Sequence, residues 1–283
     1  MNRDDRLMGA ALALAGRSVG TTRPNPSVGC VLTKSGRVIA QGWTQPGGRP
    51  HAEQMALDVA GAAARGATAY VTLEPCAHDS PRGPCCADGL IAAGVERVVV
   101  AAHDPDPRTN GAGIARLRAA GIAVTTDVRC AEAEAMMAGF FTRQRLGRPH
   151  VTLKLAVSLD GSVAMPSGSS RWITGPRARA HGHLMRARCD MILVGRGTLK
   201  ADNPRLDVRL PGLEDRSPIV AVMSRDGDLP PGIEAVASPA MLAARTDVDL
   251  VLAEGGAGLA SSLIAADLVD RLLLYRAPIL IGG

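Results

Sequence analysis

Residues 51–86 decide how this chain folds and which chemistry it carries; they read HAEQMALDVAGAAARGATAYVTLEPCAHDSPRGPCC. A helical pattern over Ala52–Ala64 is followed by an apolar, extended pattern over Ala67–Leu73. Such alternation of helix and strand is typical of an α/β layered sheet. Side chains that can bind metal flank this unit, because His51 and Glu53 stand at the start of the helix and the cysteines follow the strand.

A zinc site is the first prediction from this stretch. One imidazole and two thiolates are good tetrahedral ligands for zinc, and a fourth position left to water is the arrangement of a catalytic site. We predict His51, Cys76 and Cys85 as the ligands. Two thiolates weaken the metal's acidification of water, so a nearby base is needed, and Glu53 is the predicted proton carrier. Residues i and i+2 of a helix face apart, so His51 and Glu53 converge only at the first turn, where Pro50 marks the start.

The remaining histidine and cysteine candidates leave a structural zinc as the alternative. Such a site would need a fourth protein ligand, which His78 or Cys86 could supply. We predict Cys86 as a small core residue on the helix that opens there, and Cys30, Cys130 and Cys189 as further core residues. The order His-x-Glu followed by Pro-Cys is the pattern of zinc deaminases, in which activated water attacks an amidine-like ring carbon. The pattern therefore favours a catalytic zinc.

Composition bounds the class of protein. The chain has 283 residues, of which 46% are hydrophobic and 21% charged, so it is long enough for two globular domains. No stretch approaches the roughly 18 uninterrupted apolar residues of a membrane helix, which argues against an integral membrane protein. Two residues each of Trp, Tyr and Phe disfavour a nucleic-acid binder built on stacking. The net charge of +5 comes from scattered arginines without a basic run, so no nucleic-acid tail is indicated, and arginines in particular loops could hold phosphate.

Two α/β units are predicted, with their boundary in the polar stretch Arg143–Pro149, at residues 1–147 and 148–283. The six cysteines and the absence of an apolar signal segment indicate a reducing, cytoplasmic location. Predicted helices cover Asp4–Arg17, Ala52–Ala64, a segment ending near Ala93, Gly111–Ala120, Ala131–Gln144, Pro176–Ala187 and Leu259–Ala266. Predicted strands cover Ser27–Thr33, Arg37–Gly42, Ala67–Leu73, Arg97–Ala102, Ile122–Thr126, His150–Val157, Asp190–Val194, Ile219–Met223, Asp249–Ala253 and Arg271–Tyr275.

The first unit resembles the cytidine deaminase superfamily. The residues that carry the resemblance are His51-Ala52-Glu53, Thr72-Leu73-Glu74-Pro75-Cys76-Ala77-His78 and Pro84-Cys85-Cys86. Eight residues separate Cys76 from Cys85, which is similar to the pyrimidine deaminases of riboflavin biosynthesis. By this resemblance Asn25, in the segment Pro24–Cys30, contacts the pyrimidine. Two departures bear on substrate contacts: the insert reads DSPRGPC where the family has a His-Gly pair and a Thr-Pro-Pro-Cys run, and Thr44 replaces a family histidine.

The second unit resembles the reductase half of the bifunctional riboflavin enzymes, which is similar to dihydrofolate reductase. The matching segments are Arg148–Lys154, Ser158–Gly161, Ser167–Thr174, Gly197–Pro204 and Glu254–Gly256. The resemblance implies NADPH as cofactor, bound at Ala156, Trp172, Thr198, Asp202, Ser224 and Gly256. It implies substrate contacts at Ser170, Arg186, Leu206, Arg209 and Glu254. The chain stops after a predicted strand where this family continues, so we expect a reductase half that is shortened or incomplete.

No Gly-x-Gly-x-x-Gly motif follows a strand, so a Rossmann fold is not supported. The turn Gly255–Gly258 before a predicted helix suits phosphate instead, because free N–H groups and the helix dipole favour anions. Arg186 and Arg209 are suited to the phosphate of a phosphorylated sugar, since a guanidinium binds phosphate oxygens bidentately.

The expected fold class is thus α/β, with a cytidine-deaminase-like α/β/α layered domain followed by a dihydrofolate-reductase-like α/β domain. The resemblance implies zinc-dependent deamination of a ribosylated diaminopyrimidinone phosphate, followed by NADPH-dependent reduction of its ribose. One alternative is a nucleoside or tRNA-adenosine zinc deaminase with an unrelated second domain; another is a zinc module that binds nucleic acid. The expected partner is a phosphorylated pyrimidine, without nucleic acid or membrane, and assembly into a homo-oligomer is left open.

Overall fold

The computed structural model describes residues 2–78, 83–163, 174–202, 204–225 and 228–282. The chain divides into two compact units, Met1–Arg145 and Leu146–Gly283, and this division falls two residues before the predicted boundary. Among the described residues, no helix is both long and apolar enough to cross a bilayer.

The first unit is a five-stranded sheet with helices packed on it. Its helices are α1 (Arg3–Ala15), α2 (Ala52–Ala60), α3 (Cys86–Ala92), α4 (Ala112–Ala119), α5 (Cys130–Met136) and α6 (Ala138–Leu146). Its strands are β1 (Gly29–Lys34), β2 (Arg37–Trp43), β3 (Thr68–Leu73), β4 (Arg97–Ala102) and β5 (Ala123–Thr125). The strand order is β2-β1-β3-β4-β5. β1 is antiparallel to both neighbours, whereas β3, β4 and β5 run parallel.

Small residues bring the helices of this unit unusually close to the sheet. A Cβ atom on Gly29 would lie 1.9 Å from the carbonyl oxygen of Ala11 in α1, and one on Gly42 would lie 2.2 Å from that of Ala52 in α2. A side chain at either glycine would therefore push a helix away. The second contact matters for function, because it fixes the first turn of α2 against β2.

The second unit is a six-stranded sheet of order β11-β6-β10-β7-β8-β9, in which every described pairing is parallel. Its strands are β6 (His150–Val157), β7 (Met191–Gly195), β8 (Ile219–Met223), β9 (Ile233–Val236), β10 (Leu250–Glu254) and β11 (Arg271–Arg276). Its helices are α7 (Pro176–Arg186), α8 (Arg196–Asp202), α9 (Pro239–Ala243) and α10 (Ala257–Ala265). The near-continuous apolar run of β7 is buried, as expected for a parallel strand covered on both faces.

The predicted α/β layering is confirmed in both units. Strands Arg97–Ala102, His150–Val157 and Ile219–Met223 match the prediction to the residue. The single helix predicted over Ala131–Gln144 is wrong, because Met137 leaves helical geometry, with φ −106° and ψ 25°, and separates α5 from α6. Helices α8 and α9 and strand β9 were not predicted; they have at most seven residues each, too few to show a clear period.

Candidate active sites

Three side chains that can bind a metal converge in the first unit. His51 is the N-cap residue of α2, Cys76 follows β3, and Cys86 is the first residue of α3. The Nδ1 atom of His51 lies 3.2 Å from the Cys86 Sγ and 3.8 Å from the Cys76 Sγ. All three potential ligand atoms lie within 4.8 Å of one another. The starts of α2 and α3 and the end of β3 thus lie at one point, and they bring together residues up to 35 positions apart in the chain.

The donor set fits zinc. A tetrahedral ion with Zn–N near 2.0 Å and Zn–S near 2.3 Å separates nitrogen from sulfur by about 3.5 Å, and the two N–S distances here bracket that value. The pKa of Cys76 is lowered to about 4, chiefly by a hydrogen bond with the Cys86 thiol, and the pKa of Cys86 is raised in consequence. The hydrogen bonds from Cys86 and His51 thus favour the thiolate form of Cys76, and thiolate is the form that binds metal.

The prediction of Cys85 as the second thiolate is corrected to Cys86. Helix α3 begins at Cys86, so Cys85 is its N-cap residue. The Cys85 Sγ accepts a hydrogen bond from Nη1 of Arg116 at 3.2 Å and is not part of the cluster. The backbone N–H of Cys86 instead donates to the Cys76 Sγ at 3.2 Å. Cys86 is accordingly a candidate ligand and not merely the core residue that the sequence suggested.

Glu53 lies in the first turn of α2, in the same cavity as His51. Its carboxyl group is buried, and burial raises the pKa of Glu53. The charge interaction with His51 lowers that pKa, but by less. His51 precedes the first turn of α2 and Glu53 lies within it, so both side chains can face the same cavity, as the sequence indicated. A buried carboxyl group beside bound water can act as a general base and then as a general acid, and a raised pKa favours the second role.

The cavity around this cluster has a volume of about 510 Å³. Asn25 and Thr44, which were singled out in the sequence, both line it. The Asn25 amide nitrogen lies 2.7 Å from the Gly48 carbonyl oxygen and 3.0 Å from Nε2 of His51. The Thr44 hydroxyl accepts a hydrogen bond from the Val28 N–H at 3.0 Å. Thr44 therefore stabilises the loop on which Asn25 stands, and the predicted contact of Asn25 with a pyrimidine stays a prediction.

Several polar residues of the cavity wall were not predicted as site residues from the sequence. They are Arg49, Glu74, Asp104, Asp106, Arg108 and Arg143. Asp104 is buried, and burial raises its pKa to about 7. A signal for Asp104 was available, since it follows the carboxyl end of the parallel strand β4, where open α/β sheets bind ligands.

An ion pair marks the candidate site of the second unit. Nε and Nη2 of Arg186 donate to the two carboxylate oxygens of Glu254 at 2.8 and 2.9 Å, and Nη1 donates to the Asp207 carbonyl. Lys154 Nζ lies 3.7 Å from Glu254 Oε2. Burial raises the pKa of Glu254, but the bonds from Arg186 outweigh it and the net shift is downward. The structure thus brings together two predicted substrate residues and adds Lys154.

The other residues predicted for the second unit are more dispersed. Ala156 lies in β6, Thr198 in α8, and Ser224 just after β8, where its hydroxyl accepts a hydrogen bond from Arg196 at 2.9 Å. Asp202 ends α8. Leu206 is buried, and Arg209 is exposed, with Nε 3.3 Å from Asp207 Oδ1. Trp172 and Ser170 lie outside the described residues.

The junction between β10 and α10 fits a phosphate-bearing cofactor. Gly256 is the N-cap residue of α10. Because glycine has no side chain, it accepts no side-chain hydrogen bond from the first N–H groups of the helix. Cβ atoms built on Gly256 and Gly258 would meet nothing within 4 Å. A helix start without a side-chain cap, and with room beside its glycines, is suited to phosphate.

Two family models match this chain. The model for the cytidine and deoxycytidylate deaminase zinc-binding region matches residues 1–102, and the model for the RibD C-terminal domain matches residues 149–283. The riboflavin biosynthesis protein RibD of Escherichia coli K12 is 39% identical, over 99% of this chain and 89% of that protein. RibD of Mycobacterium tuberculosis H37Rv is 41% identical, over 99% of this chain and 86% of that protein.

Solved structures agree with these matches. Acinetobacter baumannii RibD superposes with a TM-score of 0.87 at 36% identity, over 99% of this chain and 88% of that chain. A diaminohydroxyphosphoribosylaminopyrimidine deaminase/5-amino-6-(5-phosphoribosylamino)uracil reductase from Thermotoga maritima superposes with a TM-score of 0.89 at 33% identity, with the same coverage. The fold, the cluster around His51 and the two domain matches place this chain in the RibD family of riboflavin biosynthesis proteins.

Proposed function

We propose that this chain catalyses two consecutive steps of riboflavin biosynthesis. The first is hydrolytic deamination of 2,5-diamino-6-ribosylamino-4(3H)-pyrimidinone 5′-phosphate, and the second is NADPH-dependent reduction that gives 5-amino-6-ribitylaminouracil 5′-phosphate. The observation that carries the proposal is the cluster of His51, Cys76 and Cys86 beside buried Glu53, in a chain whose second half matches the RibD C-terminal domain. That match also disfavours the alternative of a nucleoside deaminase with an unrelated second domain.

In the deamination step, His51, Cys76 and Cys86 would hold zinc, which supplies Lewis acidity when bound. The Glu53 carboxylate takes a proton from the attacking water and delivers it to the departing amino group. The water oxygen adds to the ring carbon and becomes the new carbonyl oxygen, its second proton ends on the adjacent ring nitrogen, the exocyclic C–NH2 bond breaks, and ammonia leaves. Burial of Glu53 serves this cycle, because its raised pKa favours the protonated form that must later donate. Asn25, beside His51, is the proposed pyrimidine contact.

In the reduction step, NADPH supplies a hydride when bound. Three of the five guanidinium N–H groups of Arg186 donate to protein acceptors, so we propose that Arg186 holds Glu254 in place and that its other N–H groups make the predicted substrate contact. Arg209 is the proposed phosphate contact, because its side chain is exposed beside the same Asp207 loop. Cofactor contacts are proposed for Ala156, Trp172, Thr198, Asp202, Ser224 and Gly256, and substrate contacts for Ser170, Leu206 and Glu254.

The two activities are assigned to separate parts of the chain, with deamination in residues 1–147 and reduction in residues 148–283. We expect a phosphorylated pyrimidine as the partner, without nucleic acid or membrane, and assembly into a homo-oligomer is a further expectation. A cytoplasmic location is a further expectation, because none of the six cysteines forms a disulfide, as is usual in a reducing compartment.

The test supplies the zinc-loaded protein with the diaminopyrimidinone ribosyl phosphate, with and without NADPH. Ammonia release and NADPH absorbance are followed separately. The proposal predicts ammonia in both reactions and loss of NADPH absorbance in the second. Ammonia without any NADPH oxidation would overturn the reductase assignment, and the absence of ammonia would overturn the deaminase assignment.

A further inference from the structure

Glu74 is a buried carboxylate that the proposed chemistry does not use. It directly follows β3 and precedes Pro75 and Cys76. Its side chain is 0% exposed. Three backbone N–H groups donate to it: those of Asp104 and Gly111 to Oε2, at 3.3 and 3.0 Å, and that of Ile114 to Oε1, at 3.1 Å. Nδ1 of His103 lies 3.8 Å from Glu74 Oε2.

The three donors lie on the loop after β4 and at the start of α4. Asp104 lines the deaminase cavity, and Gly111 and Ile114 stand at the amino end of α4. A carboxylate there satisfies helix N–H groups that otherwise lack partners and complements the helix dipole. Glu74 thereby joins the segment after β3, which carries Cys76, to the loop after β4, which carries Asp104.

Close packing reinforces this joint from the other side. A Cβ atom on Gly113 would lie 2.0 Å from the Pro75 carbonyl oxygen, so only glycine lets α4 approach the residue that links Glu74 to Cys76. Cys76 is fixed on its far side too, because its carbonyl accepts the N–H of Ala87 in α3 at 3.2 Å. The peptide that carries the candidate ligand is therefore held between α3 and α4.

We propose that Glu74 is a positioning residue for deamination. It sets the distance between the metal-binding Cys76 and the cavity wall at Asp104, and so aligns the pyrimidine with the attacking water. The proposal rests on the proposed function of the site. Misplacement of a reacting group by about 1 Å costs roughly 10²-fold in rate, so loosening this joint should reduce deamination without removing the metal.

The test is Glu74→Gln, which keeps the shape of the side chain but turns an amide NH2 toward a backbone N–H donor. We expect full zinc content, a 10- to 100-fold fall in kcat for ammonia release with a smaller change in KM, and unchanged reduction of the deaminated compound. Glu132→Gln is the matched control, because Glu132 is an exposed glutamate of the same unit; its kcat should equal that of the unsubstituted chain.

Amide hydrogen exchange gives a readout that does not depend on the proposed function. In Glu74→Gln the amides of Asp104, Gly111 and Ile114 should exchange faster, while that of Ala87 should not. Gly113→Ala disturbs the same joint from α4, and it should lower kcat less in the Glu74→Gln background than alone, since coupled sites are not additive. Unchanged amide exchange, or a kcat within twofold of the unsubstituted value, would overturn the proposal, as would loss of zinc. Absence of ammonia release from the unsubstituted chain would instead overturn the proposed function.

Discussion

The backbone N–H of Cys86 donates a hydrogen bond to the Sγ atom of Cys76 at 3.2 Å, across nine intervening residues. This bond ties the loop after β3 to the first turn of α3. It stabilises negative charge on the Cys76 sulfur and brings the Cys86 side chain to the same point as His51. The start of a helix, rather than the length of the insert, thus decides which of two adjacent cysteines joins the cluster.

The first prediction separates Cys85 from Cys86. Cys86→Ser should lose most bound zinc, since serine is a poor zinc ligand, whereas Cys85→Ser should keep one zinc per chain because its sulfur points to Arg116. Metal analysis of the two purified variants checks this. Zinc retained in Cys86→Ser and lost in Cys85→Ser would restore the ligand set first predicted from the sequence.

A second prediction concerns Glu53. Glu53→Gln should keep its zinc and lose ammonia release by roughly 10²- to 10⁴-fold, the usual contribution of general acid–base catalysis. Zinc content and the rate of ammonia release are measured on the same sample. Turnover near the unsubstituted rate would remove Glu53 from the proton-carrying role.

The ion pair between Arg186 and Glu254 gives a third prediction. Their side chains are 15% and 12% exposed, so Arg186→Met leaves a buried carboxylate with Lys154 as its near cation and should cost up to about 3–5 kcal/mol of unfolding free energy. Adding Glu254→Gln should recover part of that loss, although reductase activity should stay low. The unfolding free energies of the unsubstituted chain, Arg186→Met and the double variant are measured by urea denaturation. If the double variant is no more stable than Arg186→Met, the pair does not account for the loss.

Asp270 provides a prediction for pH. Burial raises its pKa, but hydrogen bonds from Arg148 and the Val151 N–H outweigh this, so its pKa lies below the ordinary value. A carboxyl group with a lowered folded pKa stabilises the fold above the unfolded pKa, near 4, and that contribution is lost as pH falls further. Asp270→Asn should therefore be less stable than the unsubstituted chain at pH 7, with a smaller difference at pH 3. A difference that does not shrink toward pH 3 would argue against the assignment.

Much of this molecule could be predicted from its residues, because apolar periodicity defines the long strands and His51, Glu53 and Cys76 flank one helix and one strand. Cys86 could not be chosen over Cys85, since spacing along the chain does not show where a helix begins. Asp104 and Glu74 escaped for a related reason: their importance lies in contacts between segments about 30 residues apart. The ion pair between Arg186 and Glu254, which lie 68 residues apart in the chain, likewise depends on the strand order of the second sheet.

The central claim is that deamination precedes reduction and that each step has its own site. The most direct measurement is NADPH oxidation by zinc-loaded Glu53→Gln, given first the diaminopyrimidinone ribosyl phosphate and then its deaminated form. The account predicts almost no oxidation with the first compound and a rate equal to that of the unsubstituted chain with the second. Rapid NADPH oxidation with the first compound would contradict the order, and none with the second would contradict the separation of the two sites.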